Sequence, residues 1–341
     1  MATTKQLGHV LVTGGAGLLG NNIVKLLRDR KVCSKLTVLD IKKPRDPFTD
    51  VDYKIADITD YDSLLALFKT LNVDAVIHTA SPPSFLHSDA IFYKVNVEGT
   101  QSMVRASQET GVKAFVYTSS ASVIHDTISD LINADETYPL IMGKDQPQYY
   151  STTKAEAELY VLAANRTQAH PSFLTAAIRP SAMFGEGDIQ ACPPICTAYY
   201  QGQAKFQLGS NENLFDWTEI SNVAHAHHLA VAALTITYER IKNGQPAPLD
   251  HEKVDGEAFI ITNDTPTYFW DFPRSLWREL GHKGRAGETG DTPRHYNHVS
   301  HRTGVDLLVD PERTQLDTTA CDIYLLHSIL QHLKGKDEAW L

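Results

Sequence analysis

The sequence predicts an α/β protein with a doubly wound parallel sheet and a smaller lobe toward its carboxyl-terminal end. In the first half of the 341 residues, short apolar runs typical of buried strands alternate with amphipathic helical patterns. A glycine cluster separates the first apolar run from the first helical pattern. The chemically notable residues follow the ends of these runs, where ligands bind in such sheets: Gly14, Asp40, Asp57, Thr79 and Ser120.

The composition limits the class of protein. A net charge of −10 and a pI near 5.8 argue against nucleic acid or an anionic membrane as the main partner, because binding phosphate needs a basic face. We see no apolar signal region and no run of the roughly 18 apolar residues that cross a membrane, and therefore expect a soluble, cytoplasmic protein. The cysteines (Cys33, Cys192, Cys196, Cys321) lack the close pairing of a zinc site and predict free thiols.

The first strand, turn and helix predict a dinucleotide site. Residues 10–12 form a buried strand, and Gly14 or Gly15 allows the sharp turn after it. Gly17 lets the backbone approach a pyrophosphate, and Gly20 lets the helix and strand pack closely. The amino terminus of the helix then offers free N–H groups and the positive end of its dipole to the phosphates.

Asp40 supports this interpretation and predicts the cofactor. It ends the second apolar run, residues 36–39, twenty residues after Gly20. A carboxylate at this position accepts hydrogen bonds from an adenosine ribose and repels a 2′-phosphate, which favours NAD. Lys42, Lys43 and Arg45 follow closely and are able to neutralise a phosphate, so NADP is not excluded.

The remaining elements continue the alternation. Asp60 is expected to cap a helix that follows the third strand. Residues 121–148 are polar and have the character of an active-site loop. The other predicted strands lie at 53–56, 75–77, 114–117 and 173–178, and the other predicted helices at 90–111 and 149–164.

Tyr150 and Lys154 lie four residues apart on a predicted helix, which places the phenol and the ammonium on one face. A phenol with a pKa of about 10 is a poor base at neutral pH, but a neighbouring ammonium favours the phenolate. Ser120 can hydrogen-bond the reacting oxygen. An isolated pair with this spacing is more often a surface feature, but the dinucleotide turn and Ser120 favour a proton-transfer device beside a hydride carrier.

These motifs together resemble an extended short-chain dehydrogenase/reductase over about residues 7–281. Within that superfamily the chain most resembles the 3β-hydroxysteroid dehydrogenase family, especially its decarboxylating sterol-4α-carboxylate 3-dehydrogenases. The resemblance to the 3β-hydroxysteroid dehydrogenase family rests on the thirty-residue spacing between Ser120 and Tyr150 and on residues 216–227, 256–264 and 268–271. The resemblance to the superfamily rests on residues 13–20, 57–58, 78–80, 95–100 and 118–120, with Tyr150 and Lys154.

The resemblance implies roles for individual residues. Tyr150 would be the general acid/base, Ser120 would orient the reacting oxygen, and Lys154 would bind the nicotinamide ribose and tune Tyr150. Asn96 would support Lys154 through a water. The residues that would bind the cofactor are Gly14, Gly15, Gly17, Leu18, Leu19, Asp40, Asp57, Ile58, Thr79, Ala80, Ser81, Thr118, Tyr150, Lys154, Pro180 and Met183.

The resemblance also implies a domain organisation and a reaction. An NAD-binding Rossmann domain would span residues 1–180, and a mainly substrate-binding lobe 181–341, with the chain returning to the first domain around 216–235 and 256–262. The implied reaction oxidises a 3β-type hydroxyl of a sterol, terpenoid or related alicyclic substrate to a ketone, with or without loss of an adjacent carboxylate as CO₂. The alternatives are a redox-neutral epimerase or dehydratase, a ketone reductase of specialised metabolism, and a non-catalytic dinucleotide sensor.

The segment from residue 282 departs from the family pattern, which puts both a membrane-bound sterol substrate and recognition of its carboxylate in doubt. A short polar stretch, 282–301, precedes a terminal amphipathic pattern of leucines and isoleucines that is typical of core or homodimer packing. Histidines cluster at His295, His298 and His301 and at His225, His227 and His228. We interpret both clusters as packing or solvated loop rather than metal sites, because neither has the partners that orient metal ligands.

Overall fold

The computed structural model describes residues 7–282. These residues form two compact units, one of residues 7–181 with Ser221–Ile261 and one of Ala182–Ile220 with residues 262–282. The predictions for Cys321, the histidines at 295–301 and the terminal amphipathic pattern concern residues outside this description.

Strands and helices alternate along most of the first unit. In chain order the elements are β1 His9–Thr13, α1 Leu18–Asp29, β2 Lys35–Asp40, β3 Asp52–Ile55, α2 Tyr61–Leu71, β4 Ala75–His78, α3 Asp89–Phe92, a π-helix Tyr93–Gly99, α4 Thr100–Glu109, β5 Ala114–Thr118, 3₁₀ turns Ala121–Ile124 and Gly143–Asp145, α5 Tyr149–Ala163, β6 Leu174–Pro180, β7 Met183–Phe184, α6 Cys192–Tyr200, β8 Leu214–Phe215, β9 Thr218–Glu219, α7 Ile220–Lys242, a 3₁₀ turn Asp250–Glu252, β10 Ala258–Ile261, β11 Thr267–Tyr268 and α8 Asp271–Glu279.

The first unit contains a seven-stranded sheet in which all neighbouring strands are parallel, in the order β10-β6-β5-β4-β1-β2-β3. β1, β4 and β5 are buried along their whole length, which explains their continuous apolar runs. The direction of winding reverses between β1 and β4, so a crevice for ligands opens there at the carboxyl ends of the strands. The predicted doubly wound parallel sheet is confirmed.

Local chemistry defines the ends of α2. The Asp60 carboxylate accepts a hydrogen bond of 3.2 Å from the backbone N–H of Ser63, as predicted for a capping residue. The helix ends at Leu71, and the next residue, Asn72, has a φ of 51° in the left-handed region that asparagine tolerates. The apolar face of α2, including Leu64 and Phe68, packs into the core cluster beside the sheet.

The predicted helix over 90–111 differs from a single α-helix. It begins as α3, widens into the π-helix Tyr93–Gly99 and then continues as α4. Asn96, in the middle of the wide turn, is buried, and its side chain makes hydrogen bonds that a helical sequence pattern does not report. π-helical turns of this kind are frequent at functional sites.

The second unit is organised around an aromatic cluster. Trp217 stacks on Phe272 with ring centroids 4.6 Å apart, and Phe184 lies 4.9 Å from Phe272. The Asp216 carboxylate accepts hydrogen bonds from the backbone N–H groups of Asn263 and Thr265, at 2.8 and 3.1 Å. Asp216, at the start of the motif 216–227, thus ties the segment before α7 to residues 263–265 of the same unit.

Two further features of residues 7–282 bear on the expectations from composition. In that range no helix combines the length and the apolar character needed to cross a bilayer. Cys33, Cys192 and Cys196 are free thiols. Burial raises the pKa of Cys33 to about 12 and that of Cys196 to about 11, so both remain protonated at neutral pH.

Candidate active site

The glycine turn after β1 is packed so closely that residues with a Cβ would clash there. Gly14 has a φ of +68°, and a Cβ there would lie 2.8 Å from the backbone of Ala80, so the sharp turn belongs to Gly14. At Gly15 a Cβ would lie 2.6 Å from the Val38 side chain. At Gly20 it would lie 2.3 Å from the carbonyl oxygen of Gly14, so the first turn of α1 rests directly on the loop.

The amino terminus of α1 and the end of β2 form a cradle suited to a dinucleotide. Gly17 is the residue before α1, and no side chain caps the helix there, so its first N–H groups are free to bind an anion. The Asp40 carboxylate accepts hydrogen bonds of 3.0 Å from the backbone N–H of Ala16 and 3.3 Å from that of Lys42. A positive helix end and a carboxylate at the next strand fit the phosphates and the ribose of NAD.

Tyr150 lies in the first turn of α5, where the side-chain hydroxyls of Ser81 and Ser120 interact with its phenol and favour its ionised form. Burial raises the pKa of Tyr150 to about 12, and the two serines partly oppose that rise. The Phe92 ring packs edge-on against the Tyr150 ring, with centroids 5.5 Å apart. Three hydroxyl groups therefore meet at the carboxyl ends of β4 and β5.

Lys154 is buried one turn further along α5, and its Nζ donates a hydrogen bond to the carbonyl oxygen of Thr118. The same nitrogen lies 4.5 Å from the centroid of the Tyr117 ring. Burial lowers the pKa of Lys154 to about 7, and the Glu158 carboxylate partly opposes that shift. The Lys154 ammonium is thus anchored on β5. For Tyr150, burial of the phenol is the largest of the effects on its pKa.

Asn96 is held by two hydroxyl groups next to Tyr150. Ser81 Oγ donates a 2.9 Å hydrogen bond to Asn96 Oδ1, and Asn96 Nδ2 donates one of 3.0 Å to Thr153 Oγ1. Thr153 Oγ1 in turn donates 2.8 Å to the carbonyl oxygen of Tyr150. This network links the π-helix to α5, and the predicted water between Asn96 and Lys154 stays a prediction.

Residues 11–288 match the 3-beta hydroxysteroid dehydrogenase/isomerase family. The chain belongs to this family. It is 37% identical over 285 residues to the sterol-4-alpha-carboxylate 3-dehydrogenase, decarboxylating, of Saccharomyces cerevisiae, covering 81% of this chain and 77% of that protein. It is 38% identical over 261 residues to the mouse protein of the same description, covering 76% of this chain and 66% of that protein.

A solved structure supports the fold of this 3-beta hydroxysteroid dehydrogenase/isomerase family member. The Bordetella bronchiseptica enzyme WbmH, in complex with NAD⁺, has a TM-score of 0.63 and 17% identity, covering 82% of this chain and 83% of that chain. The family model and the two relatives confirm the family resemblance seen in the sequence, and the solved structure supports the Rossmann-type fold.

The structure also shows where the other predicted cofactor residues of this family member lie. Thr79 hydroxyl donates 2.7 Å to the carbonyl oxygen of Thr13, which fixes the end of β4 beside the glycine turn. Ile58 is buried after β3, whereas Asp57 is exposed and accepts a hydrogen bond from Thr59. The carboxyl edge of the sheet carries Gly14, Asp40, Thr79, Ala80, Ser81, Thr118, Ser120 and Pro180, while Met183 belongs to the second unit.

His227 has a role that sequence reasoning missed, because packing was expected there. Its Nδ1 donates 2.8 Å to the carbonyl oxygen of Val223, so Nε2 is the acceptor for Thr118 Oγ1 at 2.8 Å. Burial lowers the pKa of His227 to about 4, which keeps the ring neutral and maintains this arrangement. His227 therefore positions the residue whose carbonyl group holds Lys154.

Glu158, whose carboxylate raises the pKa of Lys154, was also missed. Glu158 lies one helical turn after Lys154, and that i+4 spacing was the signal available in the sequence. Among residues 7–282 no three histidine, cysteine or acidic side chains are grouped as metal ligands.

Proposed function

We propose that this chain is an NAD-dependent dehydrogenase that oxidises the 3β-hydroxyl of a sterol, or of a related alicyclic alcohol, to a ketone. The placement of Tyr150 and the buried Lys154 one turn apart on α5, with Ser120 and Ser81 at the carboxyl ends of the neighbouring strands, carries the proposal, because these groups can move the proton of a hydroxyl group. The names of the two relatives, both 3-dehydrogenases, support oxidation at a 3-hydroxyl.

The residues present fit the cofactor. NAD bound in the cradle would accept the hydride that leaves the carbon bearing the hydroxyl. The backbone from Gly14 to Leu19 would hold the pyrophosphate, and Asp40 the adenosine ribose. We propose that Lys154 holds the nicotinamide ribose. Asp57, Ile58, Thr79, Ala80, Ser81, Thr118, Pro180 and Met183 are proposed to complete the site.

In this proposal Tyr150 takes the proton of the substrate hydroxyl while Ser120 orients the oxygen. The raised pKa of Tyr150 makes its phenolate a strong base for oxidation and its phenol a stable donor for the reverse reduction. Asn96 and Thr153 hold the backbone of Tyr150 in place and so fix the direction in which the phenol points. The same groups serve both directions of the reaction.

We further propose that CO₂ leaves when the substrate carries a carboxylate on the neighbouring carbon. Oxidation of the hydroxyl then produces a β-keto acid, in which the new carbonyl group accepts the electron pair of the breaking C–C bond. This step needs no dedicated acid or base. The word "decarboxylating" in the names of both relatives supports it.

The test is an incubation with NAD and two sterols that differ only in a 4α-carboxylate next to the 3β-hydroxyl. We expect NADH from the carboxylated sterol, with one CO₂ trapped for each NADH formed. NADH without CO₂ would restrict the activity to simple dehydrogenation. Conversion without net NADH would indicate an epimerase or dehydratase, and the absence of any conversion would contradict the proposal.

A further inference from the structure

Thr118 is the last residue of β5, and it contacts helices on both faces of the sheet. Its carbonyl oxygen accepts the hydrogen bond from Lys154 Nζ of α5, and its hydroxyl oxygen lies 2.8 Å from Nε2 of His227 on α7. Tyr117, the residue before it, faces α5, because its ring centroid lies 4.5 Å from Lys154 Nζ. Successive side chains of a strand point to opposite faces, so the Thr118 side chain points away from α5. His227 and Lys154 therefore meet at one residue from opposite faces of the sheet.

The neighbouring strands hold the end of β5 unequally. The register with β4 ends at the pair His78 and Tyr117, whereas the register with β6 continues to Thr118 and Ile178. The backbone N–H of Ser119 donates a further hydrogen bond of 2.7 Å to the carbonyl oxygen of Ile178. Thr118 thus extends one residue beyond its pairing with β4. The position of its carbonyl group depends on β6 and on the anchor that its own side chain finds on α7.

His227 is a buried polar residue among apolar side chains of α7. Val223, Val231 and Leu234 on the same helix are buried as well. Burying an imidazole costs free energy unless its nitrogens are hydrogen-bonded. The bond from Nδ1 to the Val223 carbonyl oxygen lies within the helix, and the bond at Nε2 reaches Thr118 on another element. The Thr118 hydroxyl is therefore the contact through which His227 acts outside its own helix.

Lys154 relies on the Thr118 carbonyl group to hold its ammonium. Glu158, one turn further along α5, is engaged by Arg179 through two hydrogen bonds of 2.6 and 3.0 Å. Within residues 7–282 Lys154 forms no ion pair of its own. The hydrogen bond to Thr118 and the face of the Tyr117 ring thus fix the position of Lys154 Nζ.

We propose that His227 is a positioning residue for Lys154, acting through Thr118 across the sheet. The proposal rests on the proposed function, in which Lys154 holds the nicotinamide ribose of NAD. Nε2 of His227 accepts the hydrogen bond of the Thr118 hydroxyl, which fixes the end of β5 and with it the carbonyl oxygen that holds the ammonium. In this role His227 transfers no proton and touches neither cofactor nor substrate.

The test measures the Kd for NAD by calorimetric titration of the full chain. His227→Leu removes the acceptor, and we expect the Kd to rise about five- to ten-fold, the effect of one lost hydrogen bond. His227→Gln keeps an acceptor near the position of Nε2 and should restore most of the affinity. In a Lys154→Met background, His227→Leu should change the Kd less than about two-fold, because its effect passes through Lys154.

The matched control is His9→Leu. His9 is also a buried histidine, with Nδ1 2.8 Å from the Leu71 carbonyl oxygen and Nε2 2.8 Å from Thr37 Oγ1. It lies at the amino end of β1, away from the glycine turn. We expect both leucine variants to lose thermal stability, because each leaves a buried threonine hydroxyl without its partner. NAD affinity should fall in His227→Leu and stay at the wild-type value in His9→Leu.

An unchanged Kd in folded His227→Leu, or an equal loss of affinity in the Lys154→Met background, would overturn the proposal. If His227→Leu does not fold, Thr118→Val removes the same hydrogen bond from its other partner. It should show the same loss and the same dependence on Lys154, and an unchanged Kd there would also overturn the proposal. Wild type that binds NAD without forming NADH would contradict the proposed dehydrogenase and leave the titrations to decide the role of His227. Wild type that does not bind NAD would contradict both.

Discussion

Arg179 and Glu158 form a two-point ion pair inside the first unit. Arg179 Nη2 lies 2.6 Å from Glu158 Oε1, and Nε lies 3.0 Å from Oε2. The Arg179 side chain is 6% exposed and that of Glu158 is fully buried. The pair joins β6 to α5 one turn after Lys154, so the carboxylate both balances Arg179 and raises the pKa of Lys154.

Replacing Glu158 with Gln should affect both partners of this carboxylate. An unpaired buried guanidinium lowers the free energy of unfolding by about 3–5 kcal/mol. Without the carboxylate, the pKa of Lys154 falls further below about 7, so the ammonium is lost at a lower pH. Urea unfolding and the pH dependence of kcat/KM measure the two effects, and the decline in activity on the alkaline side should move to lower pH.

The double variant Glu158→Leu with Arg179→Met separates these effects. Apolar replacement of both partners removes the unpaired charge, so much of the stability should return. The altered pH profile should persist, because Lys154 still lacks its carboxylate. A Glu158→Gln variant with wild-type stability and pH profile would contradict this account.

Replacing Tyr150 with Phe removes the hydroxyl that moves the proton and leaves the ring that packs on Phe92. We expect kcat to fall by about 10²- to 10⁴-fold, the usual contribution of general acid–base catalysis. NAD affinity, measured by fluorescence titration, should be nearly unchanged. The neighbouring Tyr149, whose side chain is exposed, supplies the control Tyr149→Phe. Retained turnover in Tyr150→Phe would refute the catalytic role.

Replacing Asp40 with Ser tests the proposed choice of NAD. Asp40 is expected to accept hydrogen bonds from the ribose and to repel a 2′-phosphate. The ratio of kcat/KM for NAD to that for NADP should fall about 10- to 100-fold, because hydrogen bonds to a charged group contribute about 1.5–3 kcal/mol. Asp46→Ser, at an exposed position of the following loop, is the control. An unchanged ratio would remove Asp40 from the ribose site.

Gly14→Ala and Gly111→Ala form a matched pair, because a Cβ would be crowded at the first glycine turn and not at the second. Both positions have positive φ, of +68° and +76°, but only the Cβ at Gly14 would meet backbone atoms, those of Ala80 at 2.8 Å. Gly111→Ala should cost about 1–2 kcal/mol of stability from backbone strain alone and leave NAD binding intact. Gly14→Ala should cost more and also weaken NAD binding. Equal effects in thermal unfolding and NAD titration would contradict the predicted cradle.

Acid should destabilise the fold through histidines whose pKa is lowered by burial, among them His78 and His227. Burial lowers the pKa of His78 to about 3 and that of His227 to about 4, from an ordinary 6.5. Below pH 6.5 the unfolded chain therefore binds protons that the folded chain does not, and stability is lost as the pH falls toward these values. Each histidine contributes up to about 1.4 kcal/mol per pH unit.

Urea unfolding between pH 7 and pH 4 measures this dependence. His227→Gln should reduce the slope of unfolding free energy against pH, because one of the histidines with a lowered pKa no longer titrates. The exposed His87, changed to Gln, is the control and should retain the wild-type slope. If His227→Gln also retained that slope, the buried neutral state assigned to His227 would be wrong.

The sequence alone determined the framework of this protein. Apolar runs predicted β1, β4 and β5 because strands covered on both faces must be apolar throughout. The glycine turn and the Asp60 cap follow from chemistry within a few residues of the chain, and the spacing of Tyr150 and Lys154 places them on one side of α5.

Only the tertiary structure decided which groups surround that pair. His227 bonds to Thr118 across 109 positions of sequence, and Arg179 reaches Glu158 from another element. Ser122 and Ser151 meet where a 3₁₀ turn touches a helix. Hydrophobic periodicity records which face of an element is buried, but a hydrogen bond between distant segments depends on how those elements pack, and it leaves no periodic signal in either of them.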